Sequence, residues 1–194
     1  MGEIFMIMIA AVLTENFVLV KFLGICPFLG VSEKPSAALG MGMAVTFVMT
    51  VSSVAAWLVY NFILVPYELE YLRTIAFILI IASLVQLIEM YMKKYFTALY
   101  QALGIFLPLM TTNCAVMGAA LISTDREYNL IKSIVYGTFS AVGFTLAVVI
   151  FAGMRERMNF ANPPEVFKGT PIALVAAGLL AMAFAGFRGI EIVF

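Results

Sequence analysis

The sequence lacks histidine, has only two cysteines and contains few charged residues, and each shortage excludes a class of protein. Without histidine there is no bis-histidine haem site, and a four-ligand zinc site within this chain is implausible. Charged residues occupy 11% of 194 positions, whereas soluble globular domains contain about 25%. Acidic and basic residues balance at 11 each, so no basic surface indicates binding to nucleic acid. A soluble enzyme and a nucleic-acid-binding protein are therefore both excluded.

The apolar residues indicate an integral membrane protein, since they make up 64% of the chain and the mean hydropathy is +1.08. A helix needs about 20 mostly apolar residues to cross the hydrocarbon core. Continuous apolar runs favour helices over the alternating strands of a transmembrane barrel. We predict an all-α fold with six spans, at 4–25, 37–65, 72–91, 96–122, 130–154 and 171–187.

Basic residues in the loops predict the orientation, because they favour the cytoplasmic side of a membrane. The loops after the first, third and fifth spans contain Lys34, Lys93, Lys94, Arg155, Arg157 and Lys168. The opposite side has Arg73, Arg126, Lys132 and Arg188. This bias places both termini on the outer side.

The two cysteines occupy matching places in the two halves of the chain. Cys26 begins the run CPFLG, and Cys114 begins the run CAVMG. Three spans in each half would give the second half the opposite orientation to the first. We therefore predict a single membrane domain, 1–194, built from two inverted repeats at 1–94 and 95–194.

Helix-breaking residues accompany each cysteine. Gly24 and Pro27 lie beside Cys26, while Gly104 and Pro108 precede Cys114. Proline removes a backbone donor and clashes with the preceding turn, so the first and fourth helices should be interrupted. Inverted repeats in transporters place such broken helices at the midplane, where their ends face a central site. This arrangement would bring the two thiols together.

Three interpretations of the cysteines remain open at this point. They could pack as small apolar residues, form a disulfide, or bind metal. An iron-sulfur cluster generally needs four protein ligands, usually thiolates, and this chain offers two. Metal binding at Cys26 and Cys114 would thus require a second, related protein that supplies two more ligands.

Two segments resemble the signatures of RnfA-type subunits, which belong to the RnfA/RnfE/NqrD/NqrE family of membrane proteins. They are 16–32, NFVLVKFLGICPFLGVS, and 103–118, LGIFLPLMTTNCAVMG. Further matches at 44–50, 71–79 and 155–157 extend the resemblance over essentially the whole chain. NqrE of the sodium-pumping NADH:quinone reductase is also similar, but it has Thr at the position of Pro27 and lacks Thr112.

The resemblance implies a component of the Rnf complex, a ferredoxin:NAD oxidoreductase that couples electron flow to Na⁺ or H⁺ transport across the bacterial cytoplasmic membrane. It implies pairing with RnfE, a homologue of opposite topology, and a 2Fe-2S cluster held by the four cysteines of the pair. Cys26 and Cys114 would then be cluster ligands. Electrons would pass between RnfB and the flavins of RnfG and RnfD, with RnfC as a further component. The enzyme activity would belong to the complex, with no complete active site in this chain.

The ion path is predicted separately, from Thr111, Thr112 and Asn113, which directly precede Cys114. Unwound polar backbone beside a redox centre could bind a cation whose affinity changes with the charge of the cluster. Lys21, in the first predicted span, is expected to extend its amine towards the membrane surface. Besides a redox subunit, a secondary transporter and a scaffold without a redox centre remain as alternative functions.

Overall fold

The computed structural model describes residues 2–32, 35–95, 113–160, 164 and 169–186. Every regular element within these ranges is helical. The α-helices are α1 (Gly2–Ile9), α2 (Ile25–Val31), α3 (Pro35–Val59), α4 (Arg73–Tyr95), α5 (Cys114–Asp125), α6 (Leu130–Phe160) and α7 (Thr170–Ala185). Helices α1 and α3 continue as the π-helical segments Ala10–Thr14 and Tyr60–Leu64. A 3-10 turn, Glu70–Leu72, leads into α4.

Three of the described helices are long and apolar enough to cross a membrane, judged by length and composition: Pro35–Leu64, Glu70–Tyr91 and Leu130–Met158. They correspond to the predicted spans 37–65, 72–91 and 130–154. The shorter apolar helices are Ile4–Thr14, Cys114–Asp125 and Thr170–Ala185. These elements support a membrane protein built from several apolar helices.

The first predicted span, 4–25, contains an interruption, as its helix-breaking residues predict. Its helix ends at Thr14, and residues 15–24 form turns and irregular backbone before α2 begins at Ile25. The interruption expected near Cys26 is present, but it precedes the cysteine and does not centre on Pro27. Pro27 lies in the first turn of α2, where no intrahelical partner is needed for a backbone N–H.

The fourth predicted span, 96–122, is only partly described. Residues 96–112, which include Gly104 and Pro108, lie outside the described residues. Helix α5 begins at Cys114, with Asn113 in extended conformation before it. The cysteine therefore stands at the very start of its helix.

The centre of the fold is the close pair α3 and α6, on which α1, α2 and α5 pack. A Cβ added at Gly42 of α3 would lie 2.2 Å from Thr145 Cγ2, and one added at Gly137 of α6 would lie 2.2 Å from Ser53 Oγ. Such small residues let membrane helices approach closely. Large apolar side chains such as Phe47, 59% exposed, cover the outside, as lipid contact requires.

Candidate cofactor site

The irregular backbone before Cys26 is held by one buried amide, Asn16. Its Nδ2 donates to Gly143 O at 2.8 Å and to Val12 O at 3.1 Å. Its Oδ1 accepts from Val18 N at 3.1 Å and from Leu19 N at 3.3 Å. Backbone that leaves a helix inside an apolar protein needs such partners, because water is not available there. Asn16 therefore makes the interruption possible and ties it to α6.

Helix α2 begins directly after Gly24, which adopts a left-handed conformation with φ +81°. A Cβ at this position would lie 2.9 Å from Phe144 Cε2 and 3.2 Å from Ala115 Cβ. Both the dihedral angle and the packing thus require glycine. Cys26 is the second residue of the helix that follows.

The far end of α2 is fixed by α6. Arg155 Nη1 donates to Leu29 O and to Ser32 Oγ, each at 2.9 Å. The rings of Phe28 and Phe151 stack with centroids 4.3 Å apart and an interplanar angle of 18°. A cation at the C-terminus of a helix donates hydrogen bonds to the free carbonyls there and interacts favourably with the negative end of the helix dipole. The short cysteine helix is therefore anchored along its length to a long one.

The second cysteine helix, α5, is capped by its own preceding residue. Asn113 Oδ1 accepts from Ala115 N at 3.0 Å, the usual geometry of an N-terminal cap. The side chain of Asn113 is buried, and within the described ranges its Nδ2 has no hydrogen-bond partner. Cys114 follows as the first residue of α5.

The two cysteine segments are in contact. Gly24 N donates a hydrogen bond to Cys114 Sγ at 2.9 Å. One residue earlier, Leu23 packs on α5, since a Cβ at Gly118 would lie 2.6 Å from Leu23 Cδ1. Segments that are 90 residues apart in sequence therefore meet at the sulfur of Cys114.

Both thiols are free and exposed on the surface of this chain. Near Cys26 in the chain, Phe22 is 62% and Ile25 36% accessible, whereas Ala115 and Val116, which follow Cys114, are buried. Within the described ranges, no three His, Cys, Asp or Glu side chains lie close enough to hold a metal ion. The donor set is two soft sulfur ligands at the starts of two helices, which fits part of an iron-sulfur site and not a whole one.

Of the residues predicted for the ion path, only Asn113 is described. Thr111 and Thr112 lie outside the described residues. The Oδ1 of Asn113 is already used as the cap of α5. Sequence reasoning missed the contact of Arg155 with α2, for which the chain offers no local signal, because the partners are more than 120 residues apart.

A second polar cluster, which sequence reasoning also missed, lies at the start of the interruption, at the end away from Cys26. Glu15 Oε2 accepts from Lys21 Nζ at 3.0 Å, and Glu15 Oε1 accepts from Arg126 Nη2 in the loop between α5 and α6. Lys21 is thus paired with a carboxylate, in addition to any contact of its stem with the membrane. Burial alone lowers the pKa of Arg126, but hydrogen bonds to Glu15 and Tyr128 outweigh burial and raise it above its ordinary value.

The sequence matches known proteins over nearly its whole length. The family described as "Rnf-Nqr subunit, membrane protein" matches residues 4–191. The chain is 57% identical over 190 residues to the A-type component of the ion-translocating oxidoreductase complex of Syntrophotalea carbinolica, covering 98% of both chains. The protein of the same name from Serratia proteamaculans is 56% identical, again over 98% of both. The corresponding component of the Na(+)-translocating ferredoxin:NAD(+) oxidoreductase complex of Acetobacterium woodii is 58% identical, over 96% of this chain and 97% of its own. The chain therefore belongs to the Rnf-Nqr family of membrane subunits.

Proposed function

We propose that this chain is a membrane electron-transfer subunit of an ion-translocating ferredoxin:NAD oxidoreductase, the Rnf complex, in the bacterial cytoplasmic membrane. Relatives that are 57% and 58% identical over almost their whole length carry the names of such complexes. The observation that carries the proposal within this chain is the hydrogen bond from Gly24 N to Cys114 Sγ. It joins the two cysteine segments at one place in the fold.

In this proposal Cys26 and Cys114 are two of the four ligands of a 2Fe-2S cluster. The other two come from a homologous protein of opposite topology, the RnfE-like partner. The exposure of both thiols supports this, because a thiol that binds a cluster shared with another chain has to lie at the surface of its own chain. When bound, such a cluster accepts and donates one electron at a time.

The residues of this chain would hold and shield that group. Gly24 N donates to the Cys114 sulfur, and the first turn of α5 places a helix N-terminus beside the same sulfur. The positive end of a helix favours an anion such as a thiolate. The exposed Phe22 and Ile25 offer apolar surface next to Cys26 that the partner would cover, excluding lipid and water.

The proposed architecture has six spans in two inverted repeats, 1–94 and 95–194, with both termini on the outer side. The short helices α2 and α5 support it, because each begins at or beside a cysteine after non-helical backbone. Electrons would pass between RnfB on the cytoplasmic side and the flavins of RnfG and RnfD on the outer side. RnfC completes the set of proposed partners.

Transport of Na⁺ or H⁺ is assigned to the residues before Cys114. Because Asn113 Oδ1 caps α5, the hydroxyl groups of Thr111 and Thr112 carry this part of the proposal. Replacing Thr112 by Val should lower the number of ions moved per electron in vesicles that contain the complex. An unchanged ratio in Thr112→Val would contradict an ion path through this segment.

The cluster is tested by low-temperature electron paramagnetic resonance on the reduced complex, purified without oxygen. Cys26→Ser and Cys114→Ser should each abolish the same signal, with a corresponding loss of iron. Gly40→Ala is a suitable control, since nothing lies within 4 Å of a Cβ at this helical position. If both serine variants retain every signal and full activity, the chain is a scaffold or a transporter without a redox centre.

A further inference from the structure

The sulfur of Cys114 has a backbone donor that the fold holds in place. Gly24 N lies 2.9 Å from Cys114 Sγ. The N–H cannot turn away easily, because Gly24 is fixed at φ +81° between Phe144, Ala115 and Asn113. The donor belongs to the segment of the first cysteine and the acceptor is the second cysteine. The two halves of the chain are thus joined at a sulfur atom.

A second donor lies beside the first. Asn113 is 4% exposed, and its Nδ2 has no hydrogen-bond partner among the residues that the structure describes. Its amide packs against Gly24, since a Cβ there would lie 3.3 Å from Asn113 Oδ1. Buried polar groups are nearly always paired in folded proteins. The unpaired amide next to Cys114 therefore indicates an acceptor outside the described residues.

The surroundings of Cys26 differ. In the part of the chain that the structure describes, no hydrogen bond to Cys26 Sγ corresponds to the one that Gly24 gives to Cys114. Cys26 lies one position further into its helix than Cys114 does. The two thiols of this chain therefore differ in their surroundings.

We propose that Gly24 and Asn113 are positioning residues that hold the Cys114 thiolate through N–H donors and raise the reduction potential of the cluster it binds. The inference rests on the proposed function. An N–H that donates to a ligating sulfur, or to a sulfide of the cluster, withdraws electron density from it and stabilises the more negative, reduced state. In this proposal Asn113 donates to a sulfur of the assembled site, which is the acceptor missing among the described residues.

The test is a redox titration of the complete purified complex, followed by electron paramagnetic resonance of the signal that Cys26→Ser removes. Asn113→Ser keeps a side-chain oxygen for the cap of α5 and removes the amide donor. Gly24→Ala adds a methyl group 2.9 Å from Phe144 Cε2, which displaces the N–H from the sulfur. Both variants should shift the midpoint to a lower potential. The exposed Asn61→Ser and the unhindered Gly40→Ala should leave it unchanged.

The outcomes separate this inference from the function on which it rests. If Cys26→Ser removes the signal while Asn113→Ser and Gly24→Ala keep the wild-type midpoint, the inference alone is overturned. If Gly24→Ala does not assemble, Asn113→Ser decides by the same criterion. An assembled Asn113→Ser complex that loses its iron supports the holding role, whereas failure of this variant to assemble overturns it. If Cys26→Ser leaves every signal intact, the proposed function fails and this inference fails with it.

Discussion

The two cysteine helices are placed by different means. Helix α2, with Cys26, is fixed from a distance by α6, through Arg155 at its end and through the bond of Asn16 to Gly143 before its start. Helix α5, with Cys114, is capped by the adjacent residue, Asn113. The ends of α2 are thus held by residues far along the chain, whereas the start of α5 is capped by the residue next to it, although Gly24 also donates to the Cys114 sulfur. Substitutions in α6 should therefore disturb the position of Cys26 more than that of Cys114.

The largest effect should come from Asn16→Leu, which removes the support of the interruption. Four backbone groups lose a buried partner, at a cost of about 1–3 kcal/mol for each group left unsatisfied. We expect the protein not to accumulate in membranes, measured as its amount per total membrane protein. Asn61→Leu is the control, since that amide is exposed. Normal accumulation of Asn16→Leu would show that the interruption does not need this amide.

Arg155→Ala should be next, because it frees the end of α2 without touching a cysteine. The hydrogen bonds to Leu29 O and Ser32 Oγ are lost, and bonds from a charged donor contribute about 1.5–3 kcal/mol each. On the proposed function, we expect lower iron content and a weaker signal of the proposed cluster in the purified complex. Arg157→Ala, at an exposed position of the same helix, should retain both. Equal losses in the two variants would argue against anchoring through Arg155.

Gly143→Ala should destabilise the Cys26 side of the fold, because it disturbs the packing of α6 against the helix before the interruption. The added Cβ would lie 3.0 Å from Val12 Cα and 3.1 Å from Ala11 O. These are backbone atoms that cannot rotate away, so we expect an overpacking cost of about 1–3 kcal/mol. The thermal midpoint of the purified complex should fall. Gly153→Ala, where nothing lies within 4 Å on the same helix, should leave the midpoint at or above its original value.

Asn113→Ala should have the smallest effect on stability, because the capping bond to Ala115 N is the one hydrogen bond of this side chain among the described residues. The expected cost is about 1 kcal/mol, seen as a small fall in the thermal midpoint. Asn113→Ser keeps a capping oxygen and should restore most of the loss. If Asn113→Ala destabilises the complex as much as Asn16→Leu, the contrast between a local and a distant support is wrong.

The sequence was sufficient to predict a helical membrane protein, three of its long helices and an interruption near Cys26. These features could be predicted because composition and helix-breaking residues act on the part of the chain in which they occur. The bond from Gly24 to Cys114 shows that the two cysteine segments meet, while the approach of the two thiols to each other stays a prediction. The ligand role of the cysteines and the inverted repeats stay predictions.

The first helix shows why other features were beyond the sequence. Residues 17–20 are apolar and extend the predicted span, yet they form turns. Hydropathy reports the preference of side chains for lipid, whereas the end of this helix depends on whether irregular backbone finds partners. Asn16 supplies the partner for Val18 N and Leu19 N. Asn16 in turn donates to Gly143 O, 127 residues later in the chain. The pairing of Glu15 with Arg126 is equally distant, so no local pattern indicates it.

The bond between Asn16 and Gly143 also sets an order of events during synthesis. Gly143 is made 127 residues after Asn16, which at about 5–20 residues per second corresponds to roughly 6–25 s of translation. During this time the first interruption sits in the membrane without its partner on α6. Its final geometry, and with it the position of Cys26, is reached only after most of the chain has been inserted. On the proposed function, delivery of iron and sulfide to this protein should accordingly follow the completion of α6.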